Sequence, residues 1–164
     1  MRLFPFGGSF WNETGLTALR IGDDCRLAGM LHDAGKLLLA ANMPNEFSES
    51  RQLAKQQGIP IHEAETRIYG ANHADVGAYL LDLWGFPHSI VEGIAFHHTP
   101  SLSTSDDFTI LTAMHISNAL SHHAEHTDPS IEFDELDSDY IQRLKLEDCL
   151  GQWQESMSVA SLSA

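Results

Sequence analysis

Six residues in this chain have the types and order needed to gather a divalent cation: the adjacent pair His32-Asp33, then His73, then the pair His97-His98, and finally Asn118. Imidazole nitrogens and a carboxylate together suit iron, manganese, zinc or related metals, and an amide oxygen such as that of Asn118 is a weaker, neutral donor. A metal held there would acidify a bound water, the chemistry of a metal hydrolase. Each pair also has a plainer reading. Asp33 in an apolar setting needs a partner, and Lys36, three residues on, can supply one, leaving His32 as a core histidine. His97 and His98 are neighbours whose side chains diverge by about 100° on a helix, so both aim inward only at a helix end.

The elements that must position these groups read as helices throughout. From Asp24 the positions Leu27, Met30, Leu31, Leu38 and Leu39 keep helical spacing to Asn42, with Pro44 beyond, so one apolar helix is expected to carry His32-Asp33 in its middle. Pro44 opens a second helix to Gln57 with Gly58 as its left-handed stop, and a third spans Ile61 to Tyr69 before Gly70. Asn72 is placed to cap a helix running to Gly85, which puts His73 in its first turn. Pro87 starts the next, whose apolar residues Ile90, Val91, Ile94 and Ala95 lead to His97-His98 before Pro100. The polar stretch Ser101 to Asp107 is a loop, and a longer helix follows through Ile110, Leu111, Met114 and Asn118. The acidic run Asp128 to Asp139 reads as a solvated linker or capping turn, and Tyr140 to Trp153 as one or two last helices. No alternating apolar run bounded by hairpin turns appears.

Charge and composition narrow the functions. Of 164 residues, 43% are hydrophobic and 20% charged, which suits one soluble domain. Twenty-three acidic residues against nine basic give a net charge of -14, which opposes binding to nucleic-acid phosphates or an anionic membrane. Between Arg67 and Arg143 there is no Lys or Arg, yet eight of the ten histidines and twelve acidic residues lie there. Such a window favours cations over free anionic substrates. Cys25 and Cys149 stand far apart without metal or redox spacing, no apolar run reaches membrane-spanning length, and no leader pattern is evident, so a cytoplasmic protein is expected.

The residues also carry a family resemblance. The segment Leu27-Ala28-Gly29-Met30-Leu31-His32-Asp33-Ala34-Gly35-Lys36, then Asn72-His73-Ala74-Asp75-Val76-Gly77 with Trp84, then Ile90 to Pro100 around His97-His98, is similar to the HD superfamily of metal-dependent phosphohydrolases. More narrowly it resembles the HDOD domain, the HD-related output domain of bacterial signalling proteins, over about Phe10 to Trp153. The resemblance implies an all-α, HD-domain-like compact helical bundle over residues 1–155, and the small, polar residues 156–164 read as a flexible tail. It also implies that the customary first half of an HDOD domain is missing, as in a truncated or reduced relative. In active HD relatives a histidine precedes the His-Asp pair and an aspartate closes the site. Here Glu13 stands for the first and Asn118 for the second, while Lys36 matches a lysine that contacts substrate phosphate. The cyclic-dinucleotide phosphodiesterases follow their paired histidines with a glutamate and a Gly-Tyr-Pro element, whereas this chain continues Thr99-Pro100-Ser101-Leu102.

Two functions are therefore expected, beside a third, weaker reading in which the motif is vestigial and the domain binds no metal. The first is an HDOD-like signal-transduction module, non-catalytic or weakly catalytic, that meets a protein partner and retains a divalent metal (Fe, Mn, Zn or Mg) on His32, Asp33, His73, His97 and His98. The second is a metal-dependent phosphohydrolase with Asp33 and Lys36 in catalysis. Other clusters read as less specific: His122, His123 and His126 with Glu125 as a polar helix end, His62-Glu63-Ala64-Glu65 as surface, Trp84 and Phe86 as core, and Cys25 as inert packing.

Overall fold

The computed structural model describes residues 15–125 and 136–153, with side chains over 22–121 and 136–153. Glu13, His126 and the 156–164 tail lie outside the described residues, as do the side chains of His122, His123 and Glu125. The helices are α1 (Gly15–Leu31), α2 (Ala34–Asn42), α3 (Pro44–Gln57), α4 (Ile61–Tyr69), α5 (His73–Leu83), α6 (His88–Ala95), α7 (Ile110–Glu125) and α8 (Ser138–Arg143). A single 3₁₀ turn covers Pro100–Leu102, and residues 147–153 are again helical. Among the described residues there is no strand, and the all-α expectation holds.

Helix ends follow the sequence signals closely. Gly58 and Gly70 close α3 and α4 in the left-handed conformation, as the αL stop requires. Asn72 caps α5 through a reciprocal box: its Oδ1 accepts from the Ala74 and Asp75 amides, and Asp75 Oδ2 accepts from the Asn72 amide at 2.9 Å. A cap of this kind is worth roughly 1 kcal/mol, and it fixes His73 as the first residue of α5.

One expectation is corrected. His32-Asp33 does not sit inside a continuous helix but in a two-residue break between α1 and α2. The His32 amide still bonds the Ala28 carbonyl at 2.8 Å, and the Lys36 amide bonds the Asp33 carbonyl at 2.9 Å in a tighter turn. The break lets the two segments pack on different partners, α1 on α6 and α7, α2 on α3 and α5. A continuous apolar pattern conceals this, because both segments are buried on one side.

Two apolar clusters flank α7. Ala28, Ala78, Leu81, Ile90, Ile94, Ile110 and Met114 join α1, α5, α6 and α7. Ile116, Leu120, Tyr140, Ile141 and Leu146 join α7 to α8 and the chain that follows it. Each fully buried Leu or Ile contributes about 1.5–3 kcal/mol. Phe86 packs against the first cluster as expected, but Trp84 is 66% exposed, because it follows the last residue of α5 and turns away with Gly85. Cys25 packs against the same cluster, and burial pushes its thiol up to about 11, consistent with an inert cysteine.

The approach of α2 to α5 is a backbone contact. A Cβ on Gly35 would lie 1.9 Å from the His73 carbonyl oxygen, and one on Gly77 would lie 3.2 Å from the Gly35 nitrogen. The two glycines thus set how near the His32-Asp33 break comes to His73.

Candidate metal centre

Three helix junctions aim imidazoles at one place: the α1/α2 break, the first residue of α5, and the turn that ends α6. Candidate ligand atoms of His73, His97 and His98 lie within 4.8 Å of one another. The His97 and His98 rings are 3.9 Å apart, His73 is 4.9 Å from His98 and 5.7 Å from His97, and His32 meets His97 edge-on at 5.4 Å. Asp33 adds a carboxylate, with Oδ1 3.4 Å from His73 Nε2 and Oδ2 3.6 Å from His32 Nε2.

The hydrogen bonds determine which nitrogen each ring offers. His32 Nδ1 meets the Gly29 carbonyl at 2.8 Å and His97 Nδ1 the Ile94 carbonyl at 2.7 Å. A carbonyl only accepts, so each Nδ1 carries the proton and each Nε2 of a neutral ring presents a lone pair. His73 Nδ1 bonds Glu65 Oε2 at 2.5 Å, which holds that ring in the same tautomer. A carboxylate behind a histidine raises its basicity as a ligand. His73 Nε2 and His98 Nε2 then lie 3.0 Å apart, a hydrogen bond in which His98 Nε2–H donates to the His73 lone pair. His97 Nε2 and Asp33 Oδ1 are buried without a hydrogen bond.

Glu65 and His62 belong to this site although their segment reads as surface in the sequence. Glu65 is 0% exposed and also accepts the His73 amide at 2.9 Å, while its Oε1 has no hydrogen-bond partner. His62 stacks on His98 with ring centres 4.1 Å apart. The available signal was their i, i+3 spacing on the short helix that runs straight into the cap of His73.

Lys36 meets Asp33, with Nζ 2.9 Å from Oδ1 and hydrogen-bonded to Oδ2 at 3.0 Å, so the local ion pair expected from their spacing is present. Asn118 is half-buried on α7, one turn past His115. Burial pushes the Asp33 carboxyl up, but the nearby His32 and Lys36 outweigh it and hold the group below the usual carboxylate range. Burial lowers His97 to about 3 and lowers His98, His62 and His115 as well, with neighbouring imidazoles adding to it at the first three.

This arrangement makes stability depend on pH. An unfolded histidine protonates below about 6.5, whereas folded His97 stays neutral to about 3, so between those values the unfolded state binds the extra proton. The contribution is full above pH 6.5 and is lost as pH falls toward 3. One unit corresponds to about 1.4 kcal/mol, so His97 alone is expected to remove roughly 2 kcal/mol between pH 6.5 and 5. Urea midpoints in chelator at pH 7.5 and 5 test this, and equal midpoints would contradict it.

Residues 11–100 match the family model of the HDOD domain, more than half of the chain. The chain belongs to the HDOD domain family. That match takes in every candidate ligand except Asn118. An uncharacterized protein of Treponema pallidum (strain Nichols) is 29% identical over 100 residues, 54% of this HDOD chain and 20% of the relative. The HDOD chain therefore spans about a fifth of the length of that curated relative. No solved structure matches. Among the described residues, no helix is long and apolar enough to cross a membrane.

Proposed function

We propose that this HDOD chain is a bacterial signal-transduction output module that holds a divalent cation and acts on a protein partner without appreciable turnover. The carrying observation is the convergence of His73, His97 and His98, with His97 Nε2 buried and unsatisfied and His73 braced by Glu65. Neutral imidazoles beside a carboxylate fit such an ion. His32, Asp33, His73, His97 and His98 would hold it, and it would supply Lewis acidity and a lowered pKa for bound water. The protein's own share is a cross-link of three helix junctions. Against hydrolysis, Lys36 is engaged by Asp33, Asn118 is uncharged, and no Lys or Arg occurs between Arg67 and Arg143 to receive a phosphate. The same reading takes the chain as one domain to about residue 155, since α8 shares a core with α7, and places it in a reducing cytoplasm with both cysteines free.

The alternative, a metal-dependent phosphohydrolase, is favoured by one observation: the Asp33 side chain is 43% exposed, so solvent reaches one side of the site. Elemental analysis of protein purified without chelator is expected to find stoichiometric metal, absent from a His32→Ala/His73→Ala double variant. Metal-free wild-type protein would end both readings. Manganese-supported turnover of bis(p-nitrophenyl) phosphate that disappears in Asp33→Asn would replace the signalling reading with the hydrolase.

A further inference from the structure

His115 connects the histidine cluster to the part of the chain beyond the family match. It is 1% exposed on α7, and both ring nitrogens end on backbone groups. Nδ1–H donates to the His97 carbonyl at 2.8 Å, and Nε2 accepts the Asp137 amide at 2.9 Å. A carbonyl on one side and an N–H on the other admit only the neutral Nδ1–H tautomer. The carbonyl belongs to the turn that carries His97 and His98. The amide belongs to the residue whose carboxylate accepts the Tyr140 N–H at 2.9 Å and caps α8. Tyr140 itself lies edge-on to the His115 ring at 6.0 Å and pairs its hydroxyl with Thr112 Oγ1 at 2.8 Å. Because both partners are main chain, the ring registers the position of two backbone segments rather than the rotamer of a neighbour.

We infer that His115 couples occupancy of the histidine cluster to the docking of α8, so that cation binding is read out in the C-terminal part of the chain. This rests on the metal reading above. A cation held by His97 and His98 pins their turn and with it the His97 carbonyl, and the rigid ring carries that constraint to the Asp137 amide. Linkage is reciprocal, so loosening α8 weakens the cation by the same factor. His115 is a positioning residue in this scheme and touches no ligand.

Zn²⁺ alone serves as the probe, with affinity measured by competition against a chromophoric chelator and amide exchange followed over 138–143. In the wild type, zinc is expected to slow exchange there on the order of tenfold. In His115→Ala, zinc should bind about tenfold more weakly and no longer change exchange at α8. A purely structural role would speed exchange in that variant with and without zinc and leave the zinc-dependent ratio intact. His115→Asn, which keeps an N–H for the His97 carbonyl but is too short to reach the Asp137 amide, should likewise leave α8 unresponsive and carry the same loss of affinity that reciprocity requires. A ratio that persists in His115→Ala overturns the coupling, as does wild-type zinc binding without any response at α8. Failure of the wild type to bind zinc removes the metal reading and the coupling with it, so the two failures are distinguishable.

Discussion

Gly35→Ala is expected to cost at least about 3 kcal/mol and to disperse the histidine cluster. The added Cβ falls 1.9 Å from the His73 carbonyl oxygen, 2.8 Å from its carbon and 3.0 Å from the Gly77 nitrogen. All three are backbone atoms, so no rotamer change relieves them and α2 must move away from α5. Overpacking usually costs 1–3 kcal/mol when side chains can adjust, and here they cannot. Helix propensity alone predicts the opposite sign, since alanine is favoured over glycine by about 1 kcal/mol in a helix interior. The steric term wins because the clash is with backbone atoms of α5, and moving α2 away also separates Asp33 from His73, whose Oδ1 and Nε2 are only 3.4 Å apart. Gly151→Ala is the control, as a Cβ there meets nothing within 4 Å. Urea denaturation should place Gly35→Ala far below wild type and Gly151→Ala at or slightly above it, and metal content should fall only in the former. A Gly35→Ala chain of wild-type stability would mean that α2 and α5 do not pack through these glycines.

What the sequence reveals and conceals follows from the range of each interaction. Caps and stops are local, so Asn72, Gly58, Gly70 and the prolines give helix ends correctly, and with them the placement of His73 and His97-His98 at junctions. The break at His32-Asp33 is not local. It follows from α1 and α2 packing on different helices, while the apolar spacing runs on across it. Glu65 illustrates the same limit. It stands among His62, Glu63, Thr66 and Arg67, with Ala64 the apolar residue beside it, and nothing in the sequence of α4 requires its carboxylate to be buried. Only the turn through Gly70 and Asn72 returns the chain so that its carboxylate meets the amide and ring of His73. His115 is likewise an ordinary helical histidine until the His97 carbonyl and the Asp137 amide arrive from opposite sides. The candidate histidines that converge could thus be picked out from residue types and order, whereas the groups that orient their rings are set by tertiary contacts.

The second large effect is expected at that orienting pair. His73→Ala removes a ring that is fully buried and leaves Glu65, itself 0% exposed, with the residue 73 amide as its remaining hydrogen-bond partner. Emptying the volume of a buried ring and taking a hydrogen bond from a buried carboxylate together cost about 3–5 kcal/mol. Glu65→Gln is the informative contrast. A neutral amide keeps an oxygen for the backbone N–H and nearly the same volume, so its stability loss should be only about 1–2 kcal/mol. Its effect on metal should nevertheless be large, since outer partners of a ligating histidine are worth roughly ten- to a hundredfold in affinity. The two variants therefore separate what one deletion would confuse. His73→Ala loses metal and stability together, while Glu65→Gln should lose affinity with most of the fold intact. Combining Glu65→Gln with His73→Ala should recover stability relative to His73→Ala alone, because the carboxylate left short of a hydrogen bond is gone, with a coupling of about 0.5–3 kcal/mol in a double-mutant cycle. Strictly additive losses would show that Glu65 and His73 do not act as a pair, and unchanged zinc affinity in Glu65→Gln would show that the carboxylate does not tune the ligand.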